Sequence, residues 1–152
     1  MTEHTEPTST ASSPYPNSGT AAWASGIAAF LPIPFLNSLI GGIVMLAVGL
    51  AQRKKGGLAA QNGVNAANWA LILIATPVLF FATMITGLLT GETTDTGIRM
   101  HSGMEAALVV IGILYGLLMV GHLVVTVLGI VKARGGQVLR APAPPVFKAP
   151  QQ

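Results

Sequence analysis

Apolar residues fill the chain in three long runs that hold no Lys, Arg, Asp or Glu: Ala21–Gln52, Leu58–Gly91 and Ala106–Val131. Leu, Ile, Val, Ala, Phe and Met dominate each of them. A hydrocarbon core about 30 Å thick is crossed by roughly 20 helical residues. Every run is long enough, so the pattern predicts helices folded in lipid. Arg53-Lys54-Lys55-Gly56-Gly57 closes the first run, and Lys132-Ala133-Arg134-Gly135-Gly136 closes the third. Cations favour a helix C-terminus and glycine ends the helix.

The first run is too long for one straight span. Its break is Leu31-Pro32-Ile33-Pro34, where two prolines remove backbone donors and push the preceding residues out of helical geometry. The pattern predicts a short helix over residues 20–31, a turn over 32–36, and a spanning helix over 37–52 with Asn37 as its N-cap. The short helix has two open placements. It lies in the interface with Trp23 at headgroup depth, or it enters as a half-membrane hairpin whose turn is buried in protein. The second run predicts a helix over 58–90 that enters the membrane near Asn68 and Trp69. Pro77 frees the carbonyl of residue 73 and predicts a kink, with the Thr76 hydroxyl close by. Gly91–Gly103 is the most polar connection. Ser102-Gly103-Met104-Glu105 then fits a capping box, which gives Glu105 a structural role at the third helical position rather than a catalytic one. A helix over 103–133 follows.

The fold class is therefore all-α: a polytopic helical membrane protein with three transmembrane helices plus a short N-terminal interfacial or half-membrane helix. Four membrane helices are the alternative. Residues 1–19, rich in Thr, Ser, Pro and Glu, read as a disordered tail. They carry no Lys or Arg, so a cleaved signal peptide is not expected. Residues 135–152 read as a proline-rich, basic tail, extended and mobile.

Composition agrees with the pattern. Only 9% of the 152 residues are charged, against about 25% in soluble domains. The net charge of +3 comes from cations beside the apolar runs. It forms no basic stripe with base-reading groups, so nucleic-acid binding is not expected. The chain has no Cys, which excludes disulfides, thiolate catalysis and Cys-ligated metals. Arg53, Lys54 and Lys55 follow the first span, while Lys132, Arg134, Arg140 and Lys148 follow the third. Only Arg99 lies in the loop between spans two and three. The positive-inside rule then sets a multi-pass protein in the cell membrane with its C-terminus cytoplasmic and the 91–103 loop external.

Ser25-Gly26, Phe30-Leu31, Pro34 and Asn37-Ser38-Leu39-Ile40-Gly41 resemble the opening of the DUF4870 family, itself similar to Tic20-like membrane proteins. Gln61-Asn62-Gly63-Val64-Asn65-Ala66-Ala67-Asn68-Trp69 resembles that family's stretch ending in Asn-Phe. Ile130-Val131-Lys132-Ala133-Arg134-Gly135, with Arg140-Ala141-Pro142, resembles its ending. Asn62, Val64 and Asn65 stand where the family often has His, a basic residue and Glu. The resemblance implies a non-enzymatic interaction or scaffold subunit in protein translocation or envelope biogenesis. An oligomeric small-solute or ion channel and an accessory subunit of a larger membrane enzyme complex are the alternatives.

Candidate chemistry is sparse. His122 is the one ionisable group deep in an apolar helix, and such groups are functional candidates by default; a neutral, hydrogen-bonded His is the structural alternative. His101 and His122 lie roughly 30 Å apart along one helix, so one chain offers no bis-His haem site. Asn62, Asn65 and Asn68 share a helix face by i, i+3, i+6 spacing and, with Arg53, Lys54 and Lys55, are candidate contacts for a partner helix or lipid headgroups. Gly112 and Gly116 permit close helix packing, inside the chain or between copies. No cofactor and no metal are expected. The partners are the bilayer and other membrane proteins or further copies of the chain.

Overall fold

The computed structural model describes residues 17–150; the expected tail over 1–19 lies outside them except for its last three residues. Helices dominate: α1 (Thr20–Ala24), which continues as a 3-10 turn over Ser25–Phe30, α2 (Leu36–Arg53), α3 (Gly57–Thr90) and α4 (Ser102–Arg134). Helices α2, α3 and α4 are each long and apolar enough to cross a membrane, while Thr20–Phe30 is shorter. Three spans and a short N-terminal helix therefore form the fold, as the three apolar runs predict. A small antiparallel hairpin, β1 (Glu92–Thr94) and β2 (Gly97–Arg99), joins α3 to α4.

Pro32 and Pro34 do break the first run. Phe35 ends the turn at φ 63°, a conformation side chains rarely adopt. Its surroundings hold it there. The ring stacks on Phe80 at 3.8 Å and Tyr115 at 4.3 Å, and its amide donates to the Tyr115 hydroxyl at 3.2 Å.

Two expected caps differ. Helix α2 starts one residue early, with Phe35 at the cap position, so Asn37 sits inside the first turn. Its Oδ1 accepts the Ser38 amide at 2.7 Å and the Tyr115 hydroxyl at 2.6 Å, tying α2 to α4. At α4 the extended residue is His101, whose carbonyl accepts the Met104 and Glu105 amides. Ser102 is already helical, so its hydroxyl is not in a cap position and the expected box does not form. Helix α3 runs through Pro77, and Thr76 donates to the carbonyl of Ile72 at 3.0 Å rather than to that of Leu73.

Helices α2 and α3 pack backbone against backbone. A Cβ on Gly63 would stand 2.6 Å from the carbonyl oxygen of Gly49, so only glycine allows these backbones to touch. The core gathers Trp23, Met45, Trp69, Ala70, Leu73 and Ala133. All of α4's buried residues except Ile111 fall in its second half, at His122, Thr126, Gly129 and Ala133. The bundle is thus packed most fully toward the end that carries the basic clusters. Nearer the hairpin, Val109, Val110, Ile113, Leu114 and Leu117 on α4 are exposed to what a membrane protein meets as lipid.

Candidate functional site

Helix α3 begins with a polar stripe at Asn62, Asn65 and Asn68, and each amide meets main chain from elsewhere in the protein. Asn62 is fully buried. Its Nδ2 donates to the carbonyls of Ser18 at 2.9 Å and Gln137 at 3.0 Å. Its Oδ1 accepts the Leu139 amide at 3.1 Å and the Trp23 indole N–H at 3.3 Å. An asparagine offers two donors and two acceptor sites, so every position is filled. Asn65 donates to the Leu139 carbonyl at 2.9 Å. Asn68 grips the main chain of Phe147 twice, accepting its amide at 2.8 Å and donating to its carbonyl at 3.0 Å.

The i, i+3, i+6 spacing thus does place the three side chains on one face, and that face binds the chain's own C-terminal segment. This segment is extended, as its prolines suggest, but it is tied to α3 rather than free. Leu139 is buried in the core. The N-terminal end is fixed at the same place. Trp23 is fully buried inside the bundle. The reason is Gly129 of α4, where any Cβ would collide with the indole ring. A lone aromatic near a helix end suggests the interface, and only the distant glycine reveals a slot for it.

His122 is fully buried one turn from Thr126. The Trp69 indole N–H, which can only donate, reaches Nδ1 at 3.0 Å. The ring proton therefore sits on Nε2, which donates to the carbonyl of Gly26 at 2.8 Å. Phe30 stacks on the ring with centroids 5.4 Å apart. His122 joins α3, the 3-10 turn and α4 as a neutral bridge. Sequence reasoning missed Trp69 as its partner, although an indole N–H in an apolar helix is itself a signal that an acceptor faces it.

The other candidates lie apart. Arg53, Lys54 and Lys55 are exposed at the α2–α3 turn, open to headgroups. Among the described residues, no atom lies within 4 Å of where a Cβ would stand on Gly112 or Gly116, so these glycines make no close packing contact there. At the opposite end from the basic clusters, Glu92, Arg99, His101 and Glu105 line a polar cleft of about 230 Å³. Among the described residues, no group of three or more His, Asp or Glu is placed to hold a metal ion, and no buried side-chain nitrogen or oxygen lacks a partner.

Three apolar spans, a hairpin and a satisfied polar seam define a small multi-pass helical membrane protein. Its residues 17–147 match the model of the magnetosome magnetite crystal formation protein family (MamF/MmsF), and the chain belongs to that family. No curated protein and no solved structure matches it. The family match overturns the DUF4870 and Tic20-like resemblance. That resemblance rested on a proline break, a small-residue helix start and a Lys-Gly helix stop, features that any compact helical membrane hairpin needs and that carry little family information. The matched span begins next to Ser18 and ends at Phe147, the two chain segments that the asparagine face holds.

Proposed function

We propose that this protein is a non-enzymatic component of the magnetosome membrane that acts in magnetite crystal formation, with its hairpin end toward the crystal and its C-terminus cytoplasmic. The family match is the observation that carries the reading. The charge distribution supports the orientation. Arg53, Lys54 and Lys55 share one end with Lys132 and Arg134, whereas Glu92, Asp95 and Glu105, the carboxylates among the described residues, all lie at the other. The basic end suits the cytoplasmic face. Carboxylate oxygens suit hard metal cations, so the hairpin end has the chemistry to meet iron ions or an iron oxide surface. Its carboxylates are exposed. The buried polar groups, by contrast, are bound to the chain itself, which favours binding and organisation over catalysis.

The test uses magnetosome-forming cells whose own copy is replaced. Glu92→Gln, Asp95→Asn and Glu105→Gln together are expected to alter crystal size or shape in electron micrographs at unchanged protein level. Crystals indistinguishable from wild type would refute the mineral-facing role. Because the chain lacks Cys, single cysteines report topology cleanly. On intact isolated magnetosomes, Lys55→Cys is expected to react with an impermeant thiol reagent and Asp95→Cys only after permeabilisation. The reverse pattern would overturn the orientation.

A further inference from the structure

The C-terminal segment bound to α3 is built for an apolar setting. Pro142, Pro144 and Pro145 have no amide hydrogen. The amides of Leu139 and Phe147 are taken by Asn62 and Asn68. Those of Ala143 and Val146 bond back to the carbonyls of Ala141 and Pro144 at 2.8 and 2.9 Å. Main chain with few stranded donors is what irregular backbone at membrane depth requires.

This strap forms one wall of a groove of about 350 Å³. Pro144 and Val146 face a floor from α3, including Ile72 and Leu79, and a second wall from α4 at Ile111 and Leu114. The floor reaches about three turns beyond Asn68, toward the middle of the span. Thr76 is the only polar side chain in the lining, and its hydroxyl is already donated to Ile72. A polar ligand would find no free side-chain donor in this lining. The size falls at the lower end of the ~300–1,000 Å³ of small-molecule sites. Arg140 and Lys148, both exposed, flank the strap, and such side chains reach up to lipid headgroups.

We propose that the groove binds one acyl chain of an anionic membrane lipid, with the strap as its removable wall and Arg140 and Lys148 as its headgroup contacts. The site is independent of any role in crystal formation. The test reconstitutes the full chain in phosphatidylcholine vesicles containing phosphatidylglycerol with a photoactivatable acyl chain, and maps adducts by mass spectrometry. Adducts are expected severalfold more often on the less exposed Ile72 and Ile111 than on Leu117 and Val120, which are exposed on α4 and report bulk lipid. Asn68→Ala, which frees Phe147, should bring the groove down to the level of Leu117 and Val120. Pro144→Ser with Val146→Ser, which keeps the asparagine contacts, should do the same if Asn68→Ala does not fold. Equal labelling of groove and outer face in the wild type, or groove labelling unchanged by these variants, would overturn the site. Equal capture of a photoactivatable phosphatidylcholine would overturn the headgroup assignment.

Discussion

Replacing Asn62 with Leu keeps the volume of the side chain and removes all of its polar atoms. Four hydrogen bonds disappear, to Ser18, Gln137, Leu139 and Trp23. A typical bond contributes about 0.5–1.5 kcal/mol net. The sum is roughly 4 kcal/mol, out of a total stability of ~5–15 kcal/mol. The loss is felt in full because the site is buried and water cannot replace the amide. For a chain of this length each kcal/mol moves the midpoint by about 2–4 °C, so melting in detergent should fall by on the order of 10 °C. The same change should free the strap, and trypsin should cut after Arg140 much faster than in wild type. The series is ordered by the number of bonds lost. Asn68→Ala breaks two and Asn65→Ala breaks one, predicting losses of about 2 and 1 kcal/mol. If Asn62→Leu melts within about 2 °C of wild type, or Asn65→Ala is the most damaging of the three, the asparagine face does not hold the chain ends as described.

Gly129→Ala should destabilise the protein by about 1–3 kcal/mol through collision with the Trp23 ring, seen as a lower melting point and a shifted tryptophan emission. His122→Phe fills the slot but strands the Trp69 N–H and the Gly26 carbonyl; a loss of roughly 2–4 kcal/mol is expected in the same melting assay. At Gly112 and Gly116 a Cβ meets no atom of the described residues within 4 Å, so Gly112→Ala with Gly116→Ala should be accommodated. Melting of the detergent-solubilised monomer should stay within about 0.5 kcal/mol of wild type, and a larger loss would place that face inside the bundle.

The spans were legible because lipid fixes their length and glycine, proline and cations mark their ends. Gly57–Thr90 and Ser102–Arg134 each start one residue before the expected helix and end at its last residue or one beyond. The caps were not legible at that precision. Asn37 and Ser102 are good capping residues, yet Ser102 is the first and Asn37 the second residue of its helix, where Asn37 serves Tyr115 instead. The asparagine face was visible as a spacing, but its partner was not. It binds main chain, at Gln137, Leu139 and Phe147, and main chain leaves no mark in residue types. The burial of Trp23 was illegible for the opposite reason. Its identity is informative, but the slot that accepts it depends on the absence of a side chain at Gly129.

The anchoring of Phe147 on Asn68 also bears on when the protein can finish folding. Helices α2 and α3 adjoin in sequence and can meet as soon as both are in the bilayer, through Gly49 and Gly63. Helix α4 can insert next. The Asn68 amide, however, and two of the four hydrogen bonds of Asn62, wait for partners that the ribosome makes near the end of the described chain. Insertion and closure are therefore separate events in time. Until the last residues emerge, the half-built protein carries an open polar face, available to whatever chaperone or membrane partner attends its synthesis.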